Sequence, residues 1–220
     1  MSNYQFYRLF ANNTKLVAAD KLFFNRLVSS YCYDHMFANC INLSSAPHLP
    51  DYILAEGCYR GMFSNCQNLA EAPVLGTYNV APRCYEGMFE GCVTLTATPW
   101  LPALFIPEDC YARMFKGCTA ICNDQHLNAI SIASGCYQNM YEGCTNLRSV
   151  RIYAKNIEHR YCCKEMFKNC RKLNRIEVDF TSWYGDSTQD WVVGVAPSGT
   201  FIKPRDLPYY YGPNYIPDGW

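Results

Sequence analysis

A chain of 220 residues with nineteen basic and nineteen acidic side chains has zero formal charge. No long-range field draws a polyanion, so nucleic acid is not an expected partner. Half of the residues are hydrophobic, yet no run approaches the roughly 18 apolar residues of a membrane span, and the opening MSNYQFYRLFANNTKL lacks the basic and apolar regions of a signal peptide. Neither membrane insertion nor export is expected of the chain as it stands.

In chain order, residues 1–31 read as a degenerate N-terminal capping repeat. Phe6, Leu9, Phe10 and Leu16 fall on columns that recur later, and Asn13 stands where a cysteine would be. Residues 32–179 then repeat one word six times, as in GCYRGMFSNCQNL from Gly57 to Leu69. Its first cysteine recurs at Cys32, Cys58, Cys84, Cys110, Cys136 and Cys162, and its second at Cys40, Cys66, Cys92, Cys118, Cys144 and Cys170, each step being 26 residues. Met36, Met62, Met88, Met114, Met140 and Met166 keep the same step. An unbroken period of this length marks a solenoid, whose units bury their apolar faces only by stacking on their neighbours.

Within CYxxMFxxC, Cys and Met are four apart, as are Tyr and the aromatic after Met, which predicts a short helix with one buried face. The residue before the second cysteine is always Asn or Gly, the types that enter the left-handed region at least cost, so the helix should end there. Three residues after that cysteine, Leu43, Leu69, Leu95, Ile121, Leu147 and Leu173 open a predicted strand. Pro47, Pro73 and Pro99 share one column, and proline cannot donate to a ladder, so there the sheet should be short or irregular. The fold class expected is an α/β solenoid: coils of short helix plus short strand, a parallel ladder and capped ends.

Residues 180–220 lose the period and gather Trp183, Trp191, Trp220, Tyr184, Tyr215 and the run Tyr209, Tyr210, Tyr211. They read as an aromatic-rich C-terminal cap over the last coil, with docking of a sugar or protein partner as the sharper alternative.

The cysteines are expected to be reduced core residues. On a helix, cysteines eight apart lie about 12 Å apart at ~1.5 Å per residue, too far for a disulfide, and helices stacking ~8–10 Å apart would keep the first column unbridged, which leaves bridges between coils open to the second column alone, at a strand spacing of ~4.8 Å. His48 and His126 occupy one repeat position with Val74, Trp100, Ile152 and Val178, which makes them strand residues before it makes them ligands. No cysteine pair has zinc spacing, and no nucleophile elbow, phosphate loop or HExxH is present, so no metal, cofactor or catalytic group is expected. The pairs Asp34-His35, Arg60-Gly61, Glu86-Gly87, Ala112-Arg113, Gln138-Asn139 and Lys164-Glu165 share no chemistry between coils, and they are expected to face solvent as a changeable recognition surface. Trp100, Tyr209, Tyr210 and Tyr211, with His48 and His126 beside them, are the candidate binding residues.

The word CYxxMFxxCxxL followed by an A-P-x-L-P segment resembles the BspA-type leucine-rich repeats of Bacteroidetes and of their phages, over about residues 32–179. The ending WVVGVAPSGTFIKP and GPNYIPDGW is similar to the ending of many such proteins. The resemblance implies a non-enzymatic binding solenoid, either an exposed tail- or head-fibre type component of a gut-phage virion, crAss-like phages included, or a bacterial surface adhesin. Its implied partners are other virion proteins or a host cell-surface glycan or protein, with oligomers possible within an assembly. Assembly of a virion in the host cytoplasm suits reduced thiols, whereas an adhesin normally carries an export signal.

Overall fold

The computed structural model describes residues 2–24, 28–50, 53–123 and 127–220. In each copy of the cysteine word the backbone forms a ribbon of overlapping β-turns, and the described residues contain no helix. In the first full copy the amides of Cys32, Asp34, Met36, Ala38 and Cys40 each donate to the carbonyl three residues back. The amides between them leave the coil: Tyr33 donates to the Cys58 carbonyl, His35 to Arg60, Phe37 to Met62 and Asn39 to Ser64. Every second amide therefore closes a turn, and every other one binds the next coil.

This ribbon has a cost in φ. Tyr31, His35 and Asn39 have φ of 57°, 54° and 60°, and Gly57, Gly61 and Asn65 follow at 57°, 57° and 58°. Positive φ at the third residue of a turn is the requirement of type II, so every second turn needs a left-handed residue, four positions after the last. The expected helix is corrected accordingly. Apolar residues at i, i+1, i+4 and i+5 line one face of a four-residue turn repeat as well as they line a helix, and the left-handed residues at every fourth position exclude the helix.

Side chains between those positions point inward and stack coil on coil. The rings of Phe37, Phe63, Phe89 and Phe115 lie nearly parallel, with centroids 5.6, 5.8 and 5.8 Å apart. Tyr33, Tyr59, Tyr85, Tyr111 and Tyr137 form a second stack, and the cysteine and methionine columns complete the core. Phe6 and Phe10 lie on Tyr33 and Phe37, both at 5.4 Å, so the first coil joins the same stacks.

Strands are few. β1 (Phe105–Ile106) pairs with β2 (Ser131–Ile132), and β3 (Ser149–Ile152), β4 (Arg175–Val178) and β5 (Thr200–Ile202) form a second sheet, all parallel. Among the described residues the strand expected after each Leu column is present as β3 and β4, and after Ile121 isolated parallel bridges join Asn123 to Ser149 and Leu127 to Ile152. The coils that carry Pro47, Pro73 and Pro99 have no strand at that place, since proline lacks the N–H a ladder needs. β1 and β2 lie later in their coils, just before the next cysteine word.

The ladder runs on past the last cysteine word. Cys163, Glu165, Phe167 and Asn169 donate to Ser187, Gln189, Trp191 and Val193, and β5 extends the sheet from residue 200. Residues 213–215 then fold over the end. Asn214 Oδ1 accepts from the Asp190 amide at 2.7 Å, the Pro213 carbonyl from Val192, and the Tyr215 carbonyl from the indole of the fully buried Trp191 at 2.8 Å.

Candidate recognition surfaces

Stacking at this spacing decides the outer face of the turn ribbon. Asp34 is fully buried; its carboxylate accepts from Arg60 Nη2 at 2.7 Å, one coil on, and is paired with His35 Nδ1. Burial raises the Asp34 pKa, but the hydrogen bonds from His35 and Arg60 outweigh it and hold the carboxyl below its usual value. Further along, Arg113 binds Glu86 at 2.7 Å, Lys116 binds Glu142 at 2.8 Å, and Asn139 donates to Glu165 at 2.9 Å. Of the six variable pairs, Asp34, Gly61, Gly87, Ala112 and Asn139 are buried and only Arg113 is exposed. The expectation of a solvent-facing recognition face is therefore corrected: neighbours above and below cover these side chains, and the chemistry is complementary between adjacent coils. A polar groove of about 430 Å³ remains over Gly61 and Gly87, between His35 and Arg113, where two coils carry no side chain.

The exposed apolar surface lies elsewhere on the coil. Trp100 is 54% exposed and meets Tyr78, 62% exposed, edge to face at 6.1 Å. Val74, Leu104, Phe105 and Ile130 are also exposed, and the Ile130 amide donates to the Leu104 carbonyl, which ties neighbouring coils into one strip. The strip follows from the sheet's irregularity. His48, Val74 and Trp100 come directly after the proline column and point out, whereas Ile152 and Val178, at the same repeat position in regular strands, point in. His48 is exposed, away from any metal-binding cluster, and His126 lies outside the described residues. Tyr78, Leu104 and Ile130 had a sequence signal: they share one repeat position, each 26 residues from the next, in a stretch with no strand alternation.

Tyr209, Tyr210 and Tyr211 are exposed on the closing tail. The ammonium of Lys203 sits 3.7 Å from the Tyr209 ring centre, Tyr210 packs edge to face on Tyr215 at 5.4 Å, and Tyr211 forms an isolated bridge with Ile216. They do not converge with Trp100 through any contact among the described residues.

Both cysteine columns are buried and unbridged, and Cys122 is the exposed thiol. Second-column thiols donate to carbonyls of the preceding coil: Cys66 to Phe37 at 3.2 Å, Cys92 to Phe63 at 3.1 Å and Cys170 to Tyr141 at 2.9 Å. In the first column the sulfurs of Cys84 and Cys110 lie 3.5 Å apart, so the separation expected from stacked helices is corrected along with the helices themselves. Burial pushes the thiols of Cys58, Cys84, Cys136 and Cys144 up, and those of Cys92 and Cys170 to about 12. Thiolate nucleophiles need the opposite setting. Among the described residues no group of three or more His, Cys, Asp or Glu side chains is placed to hold a metal ion.

No protein-family profile matches the chain, and no curated protein matches it in sequence. Among solved structures it is similar to the leucine-rich repeat protein of T. pallidum, at 17% identity and a TM-score of 0.46, over 76% of this chain and 74% of that one. It is also similar to a leucine-rich repeat protein from Bacteroides ovatus, at 17% identity and a TM-score of 0.36, over 77% of this chain and 53% of that one. The chain thus spans about half the length of the B. ovatus protein. The solenoid architecture rests on the chain's own hydrogen-bonded ladders.

Proposed function

We propose that the chain is a non-enzymatic recognition solenoid of the leucine-rich repeat type, carried as an exposed fibre-like component of a gut-bacterial phage virion. The observation that carries a binding role is the Tyr78–Trp100 pair, left open to solvent in the middle of an apolar strip. Exposed apolar patches of this kind mark interaction sites. Aliphatic neighbours such as Val74, Leu104 and Ile130 favour a protein partner, because a sugar-binding platform surrounds its aromatic faces with hydrogen-bonding groups. The placement in a virion is supported by the resemblance of the repeat word to BspA-type proteins and by thiols that act as hydrogen-bond donors, a reduced state suited to cytoplasmic assembly.

Mass spectrometry of purified particles tests the placement. The chain should be found in intact virions; its recovery instead by protease shaving of Bacteroidetes cells would establish the adhesin role. Tyr78→Ser with Trp100→Ser then tests the strip. Particles that assemble but no longer adsorb place a host protein on it, and defective particles place a neighbouring virion subunit there. Unchanged assembly and adsorption would remove the strip from the function.

A further inference from the structure

Within the turn ribbon the main-chain hydrogen bonds between coils all run one way, although elsewhere on the coil some, such as Ile130 to Leu104, run back. Each ribbon donates its outward amides to the carbonyls of the coil that follows it, so the two ends of the ribbon stack are chemically different. One chain of bonds passes from Phe6 to Cys32, Tyr33 to Cys58, Tyr59 to Cys84, Tyr85 to Cys110, Tyr111 to Cys136 and Tyr137 to Cys162. Parallel chains start at Arg8, Phe10 and Asn12. The C-terminal end, which would expose N–H groups, is closed by residues 213–215, with Asp190 and Val192 both engaged. At the N-terminal end the carbonyls of Gln5, Tyr7, Leu9 and Ala11 stand at the same positions as acceptors in every later coil, and among the described residues no donor reaches them.

The same end is apolar. Tyr7 and Leu9 are about half exposed, and Phe6 and Phe10 are covered on one face by Tyr33 and Phe37. Beside them opens a groove of about 420 Å³ whose lining includes Leu22, Phe23 and Met36.

We propose that this end is a docking edge for a segment of another protein that supplies N–H donors at every second residue and two rings four residues apart, a turn ribbon of the same kind as the cysteine word. Hydrogen-bond polarity selects the occupant. Two copies of this chain meeting head to head would oppose acceptor to acceptor, and head-to-tail stacking is blocked because the tail already occupies the donor end. An open edge with a row of unmatched backbone groups is a template for pairing, and the row of Gln5, Tyr7, Leu9 and Ala11 carbonyls accepts donors only.

The probe is a synthetic peptide of residues 135–144 under reducing conditions, titrated into the full chain carrying ¹³C at the carbonyls of Gln5, Tyr7, Leu9 and Ala11. Saturable downfield shifts of these carbonyls are expected. A peptide N-methylated at Tyr137, Asn139, Tyr141 and Gly143, whose amides make the inter-coil bonds in the intact chain, should bind about tenfold more weakly or worse. Leu9→Asp, at an exposed side chain, should abolish the shifts while leaving circular dichroism unchanged. Equal binding of the methylated peptide, no shift at millimolar peptide, or concentration-dependent dimers of the chain alone would each overturn the proposal. None of these outcomes bears on the Tyr78–Trp100 strip, so the two surfaces are tested separately.

Discussion

A methyl group added at Gly91 would overlap the Oδ1 atom of Asn65 in the preceding coil. Asn12, Asn39 and Asn65 form an amide ladder, with Asn39 Nδ2 bonded to Asn12 Oδ1 at 2.8 Å and Asn65 Nδ2 to Asn39 Oδ1 at 2.9 Å, and Gly91 ends it. Gly91 also has φ of 75°, as Gly117 does at 74°, but an added Cβ at Gly117 meets nothing nearer than 3.8 Å. Gly117→Ala should therefore cost only the left-handed penalty, about 1 kcal/mol, and Gly91→Ala about 2 kcal/mol or more. Urea midpoints check this, and Asn65→Ala should recover the difference when combined with Gly91→Ala.

The second-column thiols act as donors to a carbonyl as well as filling space. Cys92→Ala removes both the contact and the bond to Phe63 and should lower stability by about 1–2 kcal/mol. Cys92→Ser keeps a donor at the same carbonyl and should lose less than Cys92→Ala. The reverse order in denaturant titrations would show that the sulfur matters for packing alone.

Thiol chemistry should separate sharply by burial. Under native conditions near neutral pH a thiol reagent should label Cys122 rapidly and the buried cysteines only after unfolding, when all fourteen react. Alkali should then unfold the chain. Burial raises the folded-state pKa of Cys92 and Cys170 from 9.0 to about 12, so the proton is held more tightly when folded. That contribution is complete below pH 9 and is lost as pH rises toward 12, with a slope of up to ~1.4 kcal/mol per pH unit for each such thiol. Circular dichroism in reductant should show cooperative loss of structure within that window.

At the acid end Asp34 behaves oppositely. Its folded pKa lies below 3.8, so the stability it contributes is present above about pH 4 and disappears as pH falls through the depressed value. Arg60→Ala leaves this fully buried carboxylate with His35 alone and should cost about 2 kcal/mol at neutral pH. Asp34→Asn combined with Arg60→Ala should be milder than Arg60→Ala, because no uncompensated charge is then buried.

The sequence made the columns legible and misreported the backbone that carries them. Cys32, Tyr33, Met36 and Phe37 are buried together, which their spacing implies, but a helix and a four-residue turn repeat share that spacing. The discriminating signal was present in Gly57, Gly61 and Asn65, three residues of left-handed preference at intervals of four. Of the three, only Asn65 marks a left-handed residue in the sequence pattern, where it suggests the end of a helix. Elsewhere His35, Arg83 and Glu165 occupy the same left-handed positions, and their side chains conceal the requirement that glycine advertises. Trp100 is exposed, as its candidacy for binding requires, but its partner Tyr78 sits four repeat positions on, and only the broken strand after Pro99 brings the two rings together. The variable pairs misled for a physical reason: one coil shows a charge and the next shows its counter-charge, so that variation along a column reads as freedom when it is pairing.

The alternation of amides in the turn ribbon has an electrical consequence. The peptide group joining Cys32 to Tyr33 accepts through its oxygen from Phe6 and donates through its nitrogen to Cys58, so it stands along the stacking axis, and its counterparts in later coils stand the same way. Each such group carries a dipole of about 3.5 D, and head-to-tail alignment adds them as it does along a helix. The negative pole falls at the N-terminal coil and the positive pole under the closing tail. A chain with as many acids as bases therefore still has a front and a back in an electric field, set by main-chain atoms rather than by its side-chain charges.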